Sequence, residues 1–240
     1  MKQLILASDH STLLHHWRRE GKRQRKLLHL DGHCDLRGAV FNAQGQLTST
    51  IKKPTSLDQG NFLLHAGLEG FVSCIRWVHD DLGGRDMDIG TVLFEEDLNR
   101  SYRNFLKLLK HPVENVPLHF EIIHYDHWKG FESAEELDLD WDFFAAPGRS
   151  PEQLDQLTES FLNTYKDALP QTIYLVASPE FSSPWSEDRY WKFSQRLSYH
   201  LGVEPLVLED PWPEQAATPL PWRLVRKVGR AVLLGIKQRF

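Results

Sequence analysis

Five short apolar runs in this 240-residue chain end in acidic or imidazole side chains, and this restricts the fold more than any other feature. Residues 3–7 are followed by Asp9-His10, 27–30 by Asp31-x-His33-x-Asp35, 117–123 by His124-x-Asp126-His127, and 172–177 by Pro179-Glu180. Run 137–141 carries Asp138, Asp140 and then Asp142 out of its own end. Short apolar runs alternating with longer amphipathic ones are the pattern of a parallel α/β sheet. Such sheets bind ligands at the carboxyl ends of their strands. Polar groups far apart in sequence are therefore expected to meet at one rim.

Further strands are expected at 71–78 and 204–208, and a hairpin over 40–50 turning at Asn42-Ala43-Gln44-Gly45. Helices are predicted from a Ser11 cap into the basic stretch 18–26, over 62–68 up to Gly70, over 95–110, from Ser150-Pro151 to about 168, and over 186–201. Residues 80–88, with Gly83-Gly84, read as a loop. The segment 210–222 holds Pro211, Pro213, Pro219 and Pro221, and 222–240 reads as a basic amphipathic helix with Val225, Val228, Val232 and Ile236 on its apolar face. The expected organisation is one domain over 1–209, with 210–240 packed on it. A membrane-surface or partner-binding role is the alternative for that last helix.

The net charge of −5 argues against a general nucleic-acid binder and favours cationic substrates. Cys34 and Cys74 form no Cys-x-x-Cys motif, which fits a reducing compartment. The apolar start is too short for a signal peptide, and no run reaches the ~18 residues of a membrane span, so the chain reads as cytoplasmic without stable membrane insertion.

In extended chain, residues i and i+2 point the same way. Asp31, His33 and Asp35 can then share one side, as can Asp138 and Asp140. Carboxylates crowded in an apolar context repel each other and lose hydration, which is very costly without a counter-charge. One divalent cation relieves this, and two relieve it for five or six such ligands. Oxygen donors with some imidazole suit Mn²⁺ or another first-row divalent ion. A water shared by two such ions ionises near neutral pH. The candidate ligands are His10, Asp31, His33, Asp35, Asp138 and Asp140.

Ala7-Ser8-Asp9-His10-Ser11, Asp31-Gly32-His33-Cys34-Asp35 and Leu137-Asp138-Leu139-Asp140 stand in the order of three metal-binding segments of the arginase/agmatinase/deacetylase superfamily, which this chain resembles up to about residue 180. With Gln59-Gly60-Asn61-Phe62, the 138–144 run and Ser178-Pro179-Glu180-Phe181, it resembles most a compact arginase-like family that includes peptide arginases. The resemblance implies an arginase-like three-layer α/β/α sandwich and two Mn²⁺ ions. One ion would be held by His10, Asp31, Asp35 and Asp138, the other by Asp31, His33, Asp138 and Asp140. The implied reaction converts arginine in a ribosomal precursor peptide to ornithine and urea.

By the same resemblance Glu180 would clamp the guanidinium, a carboxylate being suited to two parallel N–H bonds. Asn61 and Asp142 are further candidates for substrate contact. Proton transfer is assigned to Asp140 or a histidine, with His65, His124 and His127 as rivals. Trp128, Phe131, Trp141, Phe143, Phe144 and Trp185 are either peptide-gripping or core. Rival readings are action on free arginine, agmatine or an acetylated amine, a structural metal protein, and a two-metal phosphoesterase. The Asp-Leu-Asp-Trp-Asp run departs from the arginase pattern, leaving Asp142 without an implied role.

Overall fold

A computed structural model describes residues 2–51, 56–80, 92–95 and 110–212. The predicted loop 80–88 apart from Asp80, the predicted helix 95–110 apart from Glu95 and Lys110, and the helix 222–240 lie outside these. Among the described residues no helix is long and apolar enough to cross a membrane.

The centre is a seven-stranded sheet in which every pairing is parallel. Its strands are β1 (Gln3–Ala7), β2 (Arg25–Leu30), β5 (Val72–His79), β8 (His119–His124), β9 (Glu135–Asp140), β10 (Thr172–Val176) and β11 (Leu206–Val207). Their order in space is β11-β1-β10-β9-β2-β5-β8. The chain moves outward from β2 to β8, then returns through β9 and β10, so β1, β10, β9 and β2 are neighbours although far apart in sequence. A second sheet, ordered β6-β3-β4-β7, contains β3 (Ala39–Phe41), β4 (Leu47–Ile51), β6 (Val92–Phe94) and β7 (Lys110–Pro112). The predicted hairpin is its β3–β4 pair, closed by the Gly45 N–H to the Asn42 carbonyl at 2.9 Å. Strands β6 and β7 are too short to show a period.

Side-chain alternation gives the central sheet two buried faces. Leu28, Leu30, Leu137, Leu139, Ile173 and Leu175 pack with α3 (Trp141–Ala145), α4 (Pro151–Tyr165) and α5 (Glu187–Leu201). Ile5, Leu27, Ile75, Tyr174 and Val176 pack with α1 (His10–Glu20) and α2 (Phe62–Leu68) through Leu13, Leu14, Trp17 and Leu63. Each such fully buried side chain stabilises the fold by about 1.5–3 kcal/mol. The result is the three-layer α/β/α arrangement. Trp128, Trp141, Phe143 and Phe144 are core residues, while Trp185 is partly exposed under the Arg189 guanidinium.

Several local features differ from expectation. Asp9, not Ser11, caps α1. Its carboxylate accepts the Thr12 N–H at 3.2 Å, while Ser11 Oγ bonds to Asp9 itself. This starts the helix at His10. Helix α1 runs into the basic stretch with Arg18 and Arg19 in its last turn, and stops at Glu20 because Gly21 turns left-handed, φ 74°. Strand β9 ends at Asp140, whose carboxylate caps α3 by accepting the Asp142 N–H at 3.0 Å. Asp142 therefore lies on a helix and not on the strand's i+2 row. Residues 31–35 are likewise not extended: β2 ends at Leu30, and Asp35 has φ 52°.

Candidate metal centre

Three of the strand ends and the loops after them converge on one buried acidic cluster. Strand β9 supplies Asp138 and Asp140 on its α1-facing side. The β2 end supplies His29 and, in the following loop, Asp31, His33 and Asp35. The turn after β1 makes His10 the first residue of α1, and α3 supplies Asp142. All are buried except His33, which is partly open at the rim.

His10 sits between two groups of carboxylates. Its Nδ1 lies 3.2 Å from Asp35 Oδ2 and 3.4 Å from Asp140 Oδ2, and its Nε2 3.5 Å from Asp138 Oδ1 and 3.9 Å from Asp31 Oδ2. Phe62 stacks on its ring at 4.5 Å, which fixes the ring plane. His33 Nδ1 is 3.0 Å from Asp142 Oδ2 and 3.7 Å from Asp31 Oδ1. Asp31 thus turns Oδ1 toward His33, and Oδ2 toward His29 Nε2 at 3.2 Å and, farther off, His10. Cross-strand partners His29 and Asp138 meet at 2.9 Å.

The loop after β10 closes the floor: Ser178, at φ 42°, donates its hydroxyl to Asp140 Oδ2 at 2.7 Å. Left-handed backbone at the non-glycine residues Asp35 and Ser178 costs of order 1–3 kcal/mol each and persists only where the surroundings enforce it. Gly32 brings its N–H to Asp142 Oδ1 at 3.1 Å, where a Cβ would stand 3.2 Å from that oxygen.

Electrostatics divide the five carboxylates. Burial and Asp31 push Asp35 up to about 7. Burial, then Asp142 and Asp31, raise Asp140 well above the carboxylate range, and burial with Asp31 raises Asp142. Burial also acts on Asp31 and Asp138, yet His29 chiefly holds the first well below that range and His10 with His29 lowers the second. Burial works against charge on the imidazoles, but Asp138, Asp140 and Asp35 lift His10 to about 10, and Asp142 and Asp31 lift His33 to about 12.

Three buried atoms, His10 Nε2, Asp31 Oδ2 and Asp138 Oδ1, have no hydrogen-bond partner. Such orphans are rare in native proteins. Four triads, His10/His29/Asp138, His10/Asp31/Asp140, His29/Asp31/Asp35 and Asp31/His33/Asp142, each bring ligand atoms within 4.8 Å of one another. Bond lengths of about 2.0–2.2 Å place neighbouring ligands of one ion roughly 3–3.6 Å apart, close to the spacings around both imidazoles. The residues fit divalent metal ions.

The six predicted ligands all lie here, but His29 joins them and Asp142 replaces Asp138 or Asp140 as the carboxylate next to His33. The other predicted residues are spread out. Glu180 is exposed between Ser178 and Phe181, whose ring packs on His33 at 5.2 Å, so it stands at the rim. Asn61 is engaged in its own loop, with Asp58 N and the Ser56 carbonyl. His65 faces away, 3.3 Å from the Ser56 carbonyl; Phe62, one turn earlier, is what α2 turns toward the cluster. His124 ends the edge strand β8, edge-on to its register partner His79, with His127 beyond. His29 was legible as the polar residue in Leu27-Leu28-His29-Leu30-Asp31, two before an acid. No protein-family model matches the chain, and no curated protein matches it.

Proposed function

We propose that the chain is a binuclear, manganese-dependent hydrolase that converts arginine side chains of a precursor peptide to ornithine with release of urea. The observation that carries the metal reading is the set of buried carboxylates Asp35, Asp140 and Asp142, short of positive charge, at ligand spacing from two imidazole Nδ1 atoms. One ion would take His10 Nδ1, Asp35 and Asp140, the other His33 Nδ1 and Asp142, and Asp31 would offer one oxygen to each. This differs from the resemblance, in which Asp138 is shared. The guanidino substrate rests on that resemblance and on the acidic rim.

Bound there, the ions would supply the Lewis acidity that activates water near neutral pH. The chain's own groups do the rest. Asp31 fixes the spacing of the two sites through the His33 N–H, 2.7 Å from its Oδ1. Ser178 and the Asp142 N–H hold Asp140 in a single orientation. Glu180 accepts the guanidinium bidentately at the rim. His79, at the end of the strand next to β2, and His124, its register partner on the edge strand beyond, would carry a proton between solvent and the leaving amine.

The test is to incubate the purified chain with Mn²⁺ and arginine-containing peptides, and to measure urea, peptide mass and bound metal. Bound metal with urea supports the reading. Metal without urea from any arginyl peptide, free arginine or agmatine overturns the guanidino substrate, and no bound divalent ion overturns the metal centre.

A further inference from the structure

We propose, resting on the peptidyl-arginine reading above, that the cleft between α4 and α5 binds an acidic stretch of the precursor peptide next to its reacting arginine. Both helices pack on one face of the central sheet. Helix α4 follows α3, which starts at the carboxyl end of β9, and Arg149, just before α4, is bonded to Asp80 just after β5. Helix α5 follows the loop that leaves the carboxyl end of β10. Both helices then run back toward the amino edge of the sheet. The cleft between them, about 670 Å³, therefore opens at the rim that carries the acidic cluster and continues down the flank.

The loop after β10 joins the two places. Its Ser178 bonds to Asp140, and its Phe181 packs on His33. Further along, Trp185 is 40% exposed, while its neighbour Ser186 is fixed in the core by the Trp141 Nε1–H at 3.0 Å. An indole on a rigid support offers a peptide a large contact at low entropic cost. The Arg189 guanidinium lies 5.4 Å over the Trp185 ring and also lines the cleft. From there α5 carries Arg189, Lys192 and Arg196, whose spacings of three and four set them in one row along the cleft.

Arg189 donates to both oxygens of Asp155, at 2.7 and 3.1 Å, and Arg196 donates to Glu159 at 2.6 Å. All four side chains are solvent-accessible, and exposed pairs of this kind contribute little to stability. They hold the guanidinium groups along the cleft yet yield readily to another carboxylate. Lys192, between them, is exposed and enters no ion pair among the described residues. The row attracts anions, whereas the acidic rim attracts the arginine. A peptide with one cationic side chain at the rim and acids beside it fits both. Residues 222–240 of the chain itself, with six basic residues and no acidic one, have the wrong sign for this row.

The experiment measures binding and turnover separately. Fluorescein-labelled peptides of equal length carry one arginine and a flank rich in glutamate, glutamine or lysine. Each is titrated by anisotropy, at low salt, into the Mn²⁺-loaded wild type and into the double variant Lys192→Glu/Arg196→Glu, and urea is assayed in the same mixtures. Circular dichroism reports folding and analytical ultracentrifugation the oligomeric state. The wild type is expected to bind the glutamate-flanked peptide roughly 10-fold more tightly than the glutamine-flanked one, with the preference shrinking as salt rises. In the double variant the order is expected to invert, with the lysine-flanked peptide bound best. Equal affinity for the glutamate and glutamine flanks in the wild type overturns the proposal, as does a glutamate preference that the double variant keeps. A wild-type dimer that the double variant dissociates makes the cleft an interface between copies and overturns it too. Should the double variant not fold, Lys192→Gln decides, and must reduce the preference. A glutamate preference without urea from any peptide overturns the guanidino reading and leaves the cleft as an acidic-peptide site. Urea without a preference leaves that reading and overturns the cleft.

Discussion

Glu136, Asp138 and Asp140 stand on the same face of β9 and meet three different surroundings. At the amino end, Glu136 accepts bonds from Arg25 Nε at 3.2 Å and from the Tyr174 hydroxyl at 2.7 Å, with Lys22 beside it. Arg25 in turn pairs with Glu20 and lies over Trp17. In the middle, Asp138 has His29. At the carboxyl end, Asp140 has a serine hydroxyl, one N–H, the His10 imidazole that it shares with Asp35, and, through space, other carboxylates. One strand thus runs from full internal neutralisation to a deficit of positive charge. Burying an uncompensated carboxylate is costly, so the amino-end pairing is a structural device, while the carboxyl-end deficit is one that a bound cation would relieve.

That contrast can be broken most severely at Asp140. Asp140→Asn is expected to abolish activity and to cost more than the 10–100-fold in metal affinity typical of an outer-shell loss. The metal-free variant should melt above the metal-free wild type, because a repelling carboxylate is gone. Melting below the wild type without metal would mean that the carboxyl-end acids are mutually satisfied. At the other end, Arg25→Met leaves Glu136 with Lys22 and Tyr174 but without the buried guanidinium, and should destabilise the fold by about 1–3 kcal/mol. Denaturant unfolding measures this, and the number of Mn²⁺ ions bound should stay the same. A loss of metal sites would show the two ends to be coupled.

A milder test uses pH. In the metal-free protein Asp35 is lifted from 3.8 to about 7 by burial and Asp31, and His10 from 6.5 to about 10 against the effect of burial, chiefly by Asp138. A raised folded-state value stabilises the protonated form. That contribution is complete below the unfolded value and is lost as pH rises through the folded one. The lowered values of Asp31 and Asp138 act only at and below the ordinary carboxylate range. The metal-free melting temperature should therefore fall between roughly pH 4 and 7 as Asp35 ionises, and added Mn²⁺ should raise it most at the upper end. A metal-free melting temperature that climbs across this window would refute the charge deficit. The smallest effect is expected from Gly32→Ala. The added methyl must push Asp142 by a few tenths of an ångström, costing below about 1 kcal/mol of stability and weakening only the ion proposed at His33 and Asp142 in a titration.

Much of this was legible in the chain. The apolar runs located all seven strands of the central sheet within a few residues; β1 and β10, buried on both faces, are apolar along nearly their whole length. Helix 62–68 and the Ser150-Pro151 helix start also matched, since capping chemistry is local. The start of α1 did not, because Asp9 and Ser11 both suit a cap and only the side-chain geometry chose between them. The second sheet was half legible: its hairpin has a turn signature, whereas β6 and β7 have none.

The six candidate ligands were gathered by one rule, that polar residues after parallel strands share an edge. The sequence alone determined which residues reach that edge and that they carry more acid than base. What it left open was which carboxylate faces which imidazole. That depended on the end of β9 at Asp140, which moves Asp142 from the strand onto a helix toward His33, and on the pairing of β2 with β9, which sets His29 against Asp138. Residues 29 and 138 are 109 positions apart, and only strand register brings them within hydrogen-bond distance. Charge is written in the residues, but its compensation depends on distance, and distance is set by the packed sheet.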